Sequence, residues 1–285
     1  MIRTRSSRNL SALRCEITQE DTSLLSVLSC RDSWKMIGAG SQGQVYEATW
    51  LGAPVAVKVT WDDGTAEAEA AAHERLRHPN IVALYCASPR MLIMELMRGS
   101  LSDFIRGSPE PTSSTKWKMV ADVLRAVHYL DHAGAVHGDI KVDNVMVGHD
   151  ALLKLGDFGS CRIDGAPSPE GSATAKFLPV TQWCKLSRTA SEAASTDRYA
   201  VACVALCVMK WVDDPLEACG VEWAERTIME AEDRDAVIGE VIRQATVGAR
   251  AILSQMPHAA YHTLFSMFTA VDDQRSIGDA LHSLV

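Results

Sequence analysis

The chain has 285 residues, 47% hydrophobic and 22% charged, with a formal net charge of −8. That length can bury a sizeable core in one or two domains, and the acidic balance argues against a general nucleic-acid binder, which carries a basic face. No apolar run approaches the roughly 20 residues that a helical bilayer crossing needs; the longest candidate, 199–208, falls well short. The eight cysteines, Cys15, Cys30, Cys86, Cys161, Cys184, Cys203, Cys207 and Cys219, include no CxxC pair. No disulfide framework is expected, which points to a reducing compartment, cytoplasmic or nuclear. Cys203 and Cys207, four apart, share a helix face and read as core packing.

Residues 1–33 read as an extension of unknown function, with a basic, Ser-rich start (Met1-Ile-Arg-Thr-Arg-Ser-Ser-Arg8) and an apolar stretch at 24–28 able to pack on the rest. At Ile37 the signal sharpens. Ile37-Gly-Ala-Gly-Ser-Gln-Gly-Gln-Val45 is a GxGxxGxV run, followed by strand-like 46–50, a turn at Leu51-Gly-Ala-Pro54 and a second strand, Val55-Ala-Val-Lys-Val59. Glycines remove side chains where a backbone must close over phosphates. GxGxxG also occurs in dinucleotide folds, but there it joins a strand to a helix. Here strand follows strand, which favours a hairpin covering phosphates. Lys58 taken alone is either an exposed edge-strand lysine or a phosphate ligand, and the glycine context favours the ligand.

Residues 62–77 are Ala- and Glu-rich and predict a helix that His78-Pro-Asn80 ends. Glu69 on it is placed to pair with Lys58. Further strands are expected at 81–85 and 91–94. The break at Arg98-Gly-Ser100 puts a hinge at 95–99. A short helix at 100–105 with Ser100 or Ser102 as cap follows, then an amphipathic helix over 116–133.

That helix delivers the chain to His137-Gly-Asp-Ile-Lys-Val-Asp-Asn144, then to a strand-like 151–155 and Gly156-Asp-Phe-Gly159. Phosphoryl transfer needs a carboxylate to orient the attacking hydroxyl, a cation for the migrating group and oxygen ligands for Mg²⁺. Asp139, Lys141, Asn144 and Asp157 supply that set within one supersecondary unit. Each also has a plainer reading on its own: turn residue, solvated charge, cap. Residues 164–175 are rich in Gly, Pro, Ser and Ala and read as a mobile segment. Thr196-Asp197 is expected to cap an apolar helix over 199–211, and 215–285 alternates helical patterns with breaks. The class is α+β, a small β-rich lobe followed by a mostly helical one.

Together these ordered motifs resemble the eukaryotic protein kinase family, serine/threonine type, from residue 34 to the C-terminus. The Trp50-Leu-Gly-Ala-Pro-Val-Ala-Val-Lys58 run is most like the tyrosine-kinase-like group. The resemblance implies a bilobal kinase fold with an N-lobe at 34–95, a hinge at 95–99 and a C-lobe at 100–285. It implies ATP and Mg²⁺ as cofactors, a protein substrate with a Ser or Thr acceptor, and a regulatory protein partner. ATP would be held by Ile37, Gly38, Gly40, Gly43, Val45, Ala56, Lys58, Met94 as gatekeeper, Glu95, Met97 and Met146. Lys58 paired with Glu69 would fix the α and β phosphates. Asp139 would orient the substrate hydroxyl, Lys141 would stabilise the transferring phosphoryl, and Asn144 and Asp157 would bind the metal. Lys141, two residues after Asp139, is the serine/threonine arrangement. Thr174 would sit near the substrate hydroxyl, and Asp197 would hold the catalytic-loop backbone. Arg275 resembles the family's late C-lobe arginine.

Three departures stand out. Gly138 replaces the usual arginine of His-Arg-Asp, whose partner is a phosphate on the activation segment, so activity independent of that phosphorylation is expected. The Ala-Pro-Glu motif is replaced by Leu178-Pro179-Val180. His73 stands where the family has an apolar residue, and reads as a satisfied core histidine. The alternative to an enzyme is a nucleotide-binding scaffold without efficient transfer; a small-molecule phosphotransferase shares the fold but lacks the Ala-Val-Lys and His-Pro-Asn signatures.

Overall fold

A computed structural model describes residues 31–40, 42–62, 65–163, 174–179, 190–221, 234–269 and 277–284. The expectations placed on 1–30, on 164–173, on Val180 and on Arg275 lie outside these residues. The chain forms two compact units. The first runs to Ala70 and takes in Leu84–Leu96; the second comprises Ala71–Ala83 and everything from Met97 onward.

The first unit is an antiparallel sheet of β1 (Lys35–Ala39), β2 (Gly43–Trp50), β3 (Ala53–Thr60), β4 (Leu84–Ser88) and β5 (Met91–Glu95), in the order β1-β2-β3-β5-β4. The β2–β3 hairpin turns at Leu51 and Gly52, both at positive φ (50° and 85°), the backbone hand that matches strand twist in a two-residue loop. Side chains alternate across a strand. Val55, Val57 and Val59 therefore share one face and pack with Tyr46, Met91 and Ile93. Ala56, Lys58 and Thr60 share the other. Helix α1 (Thr65–His73) places Ala66 and Ala70 against Leu92, which pairs directly with Lys58 across β3 and β5. The pleat thus puts Lys58 on the face nearest the helix.

Around the first helix the boundaries differ from the sequence expectation. The helix stops at His73 rather than Arg77, because its last turn tightens: Arg75 N donates to Ala72 O and Leu76 N to His73 O. The strand expected at 81–85 begins instead at Leu84. Ile81 forms an isolated parallel bridge to Leu155, and the Val82 amide also goes to Leu155 O.

In the second unit, Ser100 caps α2 (Leu101–Gly107) with a capping box to Asp103. Thr112 caps α3 (Ser113–His132), one turn ahead of the expected start. Short strands β6 (Gly99–Ser100), β8 (Val145–Val147) and β9 (Leu153–Leu155) make one small sheet, and β7 (Ala135–Val136) pairs with β10 (Arg162–Ile163). The centre is α4 (Ala190–Lys210), whose residues Tyr199 to Met209 are all buried. Thr196 and Asp197 lie inside α4 instead of capping it, because the Asp197 carboxylate is engaged by backbone amides far away in sequence, described below. Cys203 and Cys207 are free and buried in this core, as expected for packing. Asp214 caps α5 (Pro215–Ala218), and α6 (Arg234–Leu253), α7 (His258–Thr269) and α8 (Ile277–Leu284) complete the unit. Among the described residues no helix is long and apolar enough to cross a membrane.

Candidate active site

In the first unit the glycine run closes between β1 and β2. The Gly40 amide donates to Gly43 O at 2.9 Å. A Cβ on Gly43 would meet Val59 O at 2.1 Å, so the approach of β2 to β3 requires glycine there. Val45 lies opposite both Gly38 and Lys58, and Ala56 lies opposite Met94, with Glu95 ending β5. Ile37 is exposed.

Lys58 Nζ donates to Glu69 Oε2 at 2.6 Å, and the two residues are only 8% and 2% exposed. Glu69 is thus the helix carboxylate that pairs with Lys58, as its position suggested. With little water to screen it, the pair is held strongly, and removing one member of such a pair typically costs about 3–5 kcal/mol because the other charge stays buried. Lys58 Nζ also donates to Gln42 Oε1 at 3.2 Å. Gln42 carries no motif signal of its own, although its place inside the glycine run keeps it close.

The second unit builds its site on the loop from His137 to Asn144. Inside α4, the Asp197 carboxylate accepts the amides of His137 (2.6 Å) and Gly138 (3.0 Å). Complete burial pushes its carboxyl up to about 7, against the two amide hydrogen bonds, which favour the charged form. His137 is itself buried, which pushes its imidazole down toward the neutral form. Its Nδ1 accepts the Asp139 amide at 3.3 Å, so the proton sits on Nε2, 3.0 Å from Gly156 O. One ring therefore ties the His137–Asn144 loop to the segment carrying Asp157.

Asp139 is the hub that results. Its Oδ1 accepts from Thr174 N (3.0 Å) and Thr174 Oγ1 (2.9 Å). Its Oδ2 accepts from Lys141 Nζ (2.7 Å) and Asn144 Nδ2 (3.1 Å). Lys141 Nζ also donates to Thr174 Oγ1 at 2.8 Å, closing a ring of three side chains. Asn144 Nδ2 further donates to Asp139 O at 2.8 Å. The amide nitrogen is thereby engaged, and the oxygen of Asn144 is the end left for a cation. The Asn144 carbonyl accepts from Gly156 N at 2.9 Å, beside Asp157. Asp157 holds a left-handed backbone, φ 59° and ψ 76°, a conformation Asp tolerates better than most residues and one that gathers at functional sites. The main-chain bond from Gly156 to Asn144 keeps Asn144 and Asp157 in neighbouring segments, and a carboxamide oxygen with a carboxylate is a donor set of the kind that suits a hard divalent cation such as Mg²⁺. Met146 lies on β8 beside Gly156, and Met97 precedes β6.

Gly138 has φ +83°, and a Cβ there would meet Ser160 O at 2.9 Å. The missing arginine is therefore also a relief of strain. His73 is buried, with Nε2 2.6 Å from Val82 O and its ring stacked on Phe158 at 4.5 Å, which places it in the core as expected. Phe158 also meets His137 edge-on at 5.0 Å.

A profile described as protein tyrosine and serine/threonine kinase matches residues 32–232. The chain belongs to that protein kinase family. Its α+β architecture, a β-sheet unit followed by a helical one, is the bilobal kinase fold. Among relatives, the tyrosine-protein kinase SRK2 of Spongilla lacustris is 34% identical over 186 residues, covering 60% of this chain and 49% of that one. The putative serine/threonine-protein kinase/receptor R826 of Acanthamoeba polyphaga mimivirus is 31% identical over 182 residues, 58% of this chain and 10% of the relative. The mouse protein-tyrosine kinase 6 is 36% identical over 142 residues, 45% and 32% respectively. The chain thus matches about half the length of the sponge kinase and less of the others.

Two outcomes follow from this geometry. Lys58→Met should lower unfolding free energy by about 3–5 kcal/mol in urea titrations, and Lys58→Met/Glu69→Leu should recover most of it; a neutral single substitution would contradict a buried pair. Gly138→Ala should cost about 1–2 kcal/mol from the left-handed backbone alone, before the contact with Ser160 is counted, and equal denaturation midpoints for the two proteins would count against it.

Proposed function

We propose that this kinase-family chain transfers the γ-phosphoryl group of Mg-ATP to a serine or threonine hydroxyl of a protein substrate. The observation that carries this reading is the closed ring of Asp139, Lys141 and Thr174. Asp139 orients the incoming hydroxyl and accepts its proton, which requires the hydroxyl to take the place of Thr174 Oγ1 or share it. Lys141, already within reach of both partners, offsets charge on the migrating group. Lys58, fixed by Glu69, neutralises the α and β phosphates. In the first unit, Ile37, Gly38, Gly40, Gly43, Val45, Ala56, Met94 and Glu95 are the residues that would contact a nucleotide; in the second, Met97 and Met146 would. Asn144 and Asp157 would hold the Mg²⁺, which when bound would offset triphosphate charge. Little covalent chemistry is asked of the protein in phosphoryl transfer, so positioning and charge supply the rate.

Acceptor choice rests on the same ring. The Thr174 backbone amide lies 3.0 Å from Asp139 Oδ1, so the chain passes within one hydrogen bond of the base. A substrate strand laid beside it brings a short Ser or Thr side chain to Asp139, whereas the longer tyrosine side chain calls for a more distant backbone. Two of the three relatives above are named as tyrosine kinases, which makes acceptor identity the point to test. Because Gly138 has no side chain to meet a phosphate, the reading also includes activity without activation-segment phosphorylation.

Purified protein with Mg-ATP and an arrayed peptide library should phosphorylate Ser or Thr peptides and leave Tyr peptides unmodified. Asp139→Asn should lower that rate by about 10²–10⁴-fold, the usual contribution of a positioned base. Transfer to Tyr alone would overturn the acceptor assignment. No transfer at all, with ATP still bound, would favour a scaffold.

A further inference from the structure

Trp61, directly after β3, belongs to no motif, yet it holds the glycine run from outside. Its indole Nε1–H donates to Gly40 O at 3.2 Å. Its backbone amide donates to Gln42 O at 3.0 Å. Its own carbonyl accepts from Arg90 Nη2 at 2.6 Å, and Arg90, at the β4–β5 turn, also accepts the Thr60 amide on its carbonyl at 2.9 Å. Gln42, so held, places its side chain 3.2 Å from Lys58 Nζ. A strut therefore runs from the β4–β5 turn through Trp61 to both flanks of the loop tip and on to Lys58, all within the first unit.

A glycine-rich loop is the costliest kind of backbone to order, since glycine loses the most conformational freedom and each fixed residue costs about 1–2 kcal/mol. A ligand that must order such a loop binds more weakly by that cost, and prior ordering removes it. The strut also engages two loop carbonyls that would otherwise be free to face and repel an anion. We propose that Trp61 is a positioning residue that pre-orders the glycine-rich loop for the phosphate groups of a nucleotide. This rests on the nucleotide-binding reading above.

Trp61→Phe keeps a ring and removes the indole N–H. Calorimetric titration with Mg-ATP and, separately, with adenosine reads the effect. The variant should bind ATP about three- to tenfold more weakly, the range for one net hydrogen bond. Adenosine affinity, kcat at saturating ATP and the thermal midpoint should be unchanged. Arg90→Met, which cuts the strut at its far end, should show the same ATP-selective loss and serves if Trp61→Phe does not fold. Equal losses for ATP and adenosine, or no loss for either, would overturn the proposal while leaving the functional reading intact. Failure of the wild-type protein to bind ATP would overturn both.

Discussion

Two backbone amides, those of His137 and Gly138, end on one buried carboxylate. Asp197 sits within the central helix of the second unit and reaches across some sixty residues of sequence to accept both. A carboxylate placed at full burial is costly unless its lone pairs are filled, and here the filling groups are the backbone of the loop that carries Asp139, Lys141 and Asn144. The cost and the function are thus joined. Once the loop is pinned at His137 and Gly138, the buried His137 ring couples the Asp139 amide to Gly156 O, and Asp157 follows.

Around that fixed backbone the side chains have few choices left. Both oxygens of Asp139 are occupied, one by Thr174 and the other by Lys141 and Asn144. Such a network is rigid when satisfied. On the reading proposed above, a substrate hydroxyl entering it would exchange one hydrogen bond for another rather than create a site. The first unit shows the same economy. Its strand alternation puts Lys58 on the helix face, and the helix supplies a carboxylate 2.6 Å away.

Much of this was legible in the sequence because it rests on residue type and spacing. The glycine run, Lys58, Glu69, Asp139, Lys141, Asn144 and Asp157 could all be singled out by type and spacing, and the structure pairs Lys58 with Glu69 and Asp139 with Lys141; the β-then-helical order of the chain was legible in the same way. What stayed hidden has physical reasons. Thr196-Asp197 before an apolar run imitates a helix cap; that the carboxylate instead holds a distant backbone was implied by the family resemblance alone, and the His137 and Gly138 amides do end on it. The run at 81–85 looks like any short apolar strand, yet its first residues bridge to Leu155. The absence of arginine at position 138 was plain, whereas the left-handed φ of +83° was not. Trp61 was invisible because its partners are main-chain groups, which leave no mark on composition.

The dependence of the whole site on Asp197 is open to one direct measurement. Asp197→Asn keeps the shape of the side chain but turns one acceptor into an NH₂ group facing a backbone N–H. Mg-ATP affinity and phosphoryl-transfer rate should be measured together on this variant. The expected result is nucleotide binding close to that of the unaltered protein with transfer reduced by about 100-fold or more, the scale of loss for an ångström-sized misplacement of reacting groups. Transfer at the unaltered rate, with the fold intact, would contradict the claim that this carboxylate fixes the geometry of Asp139.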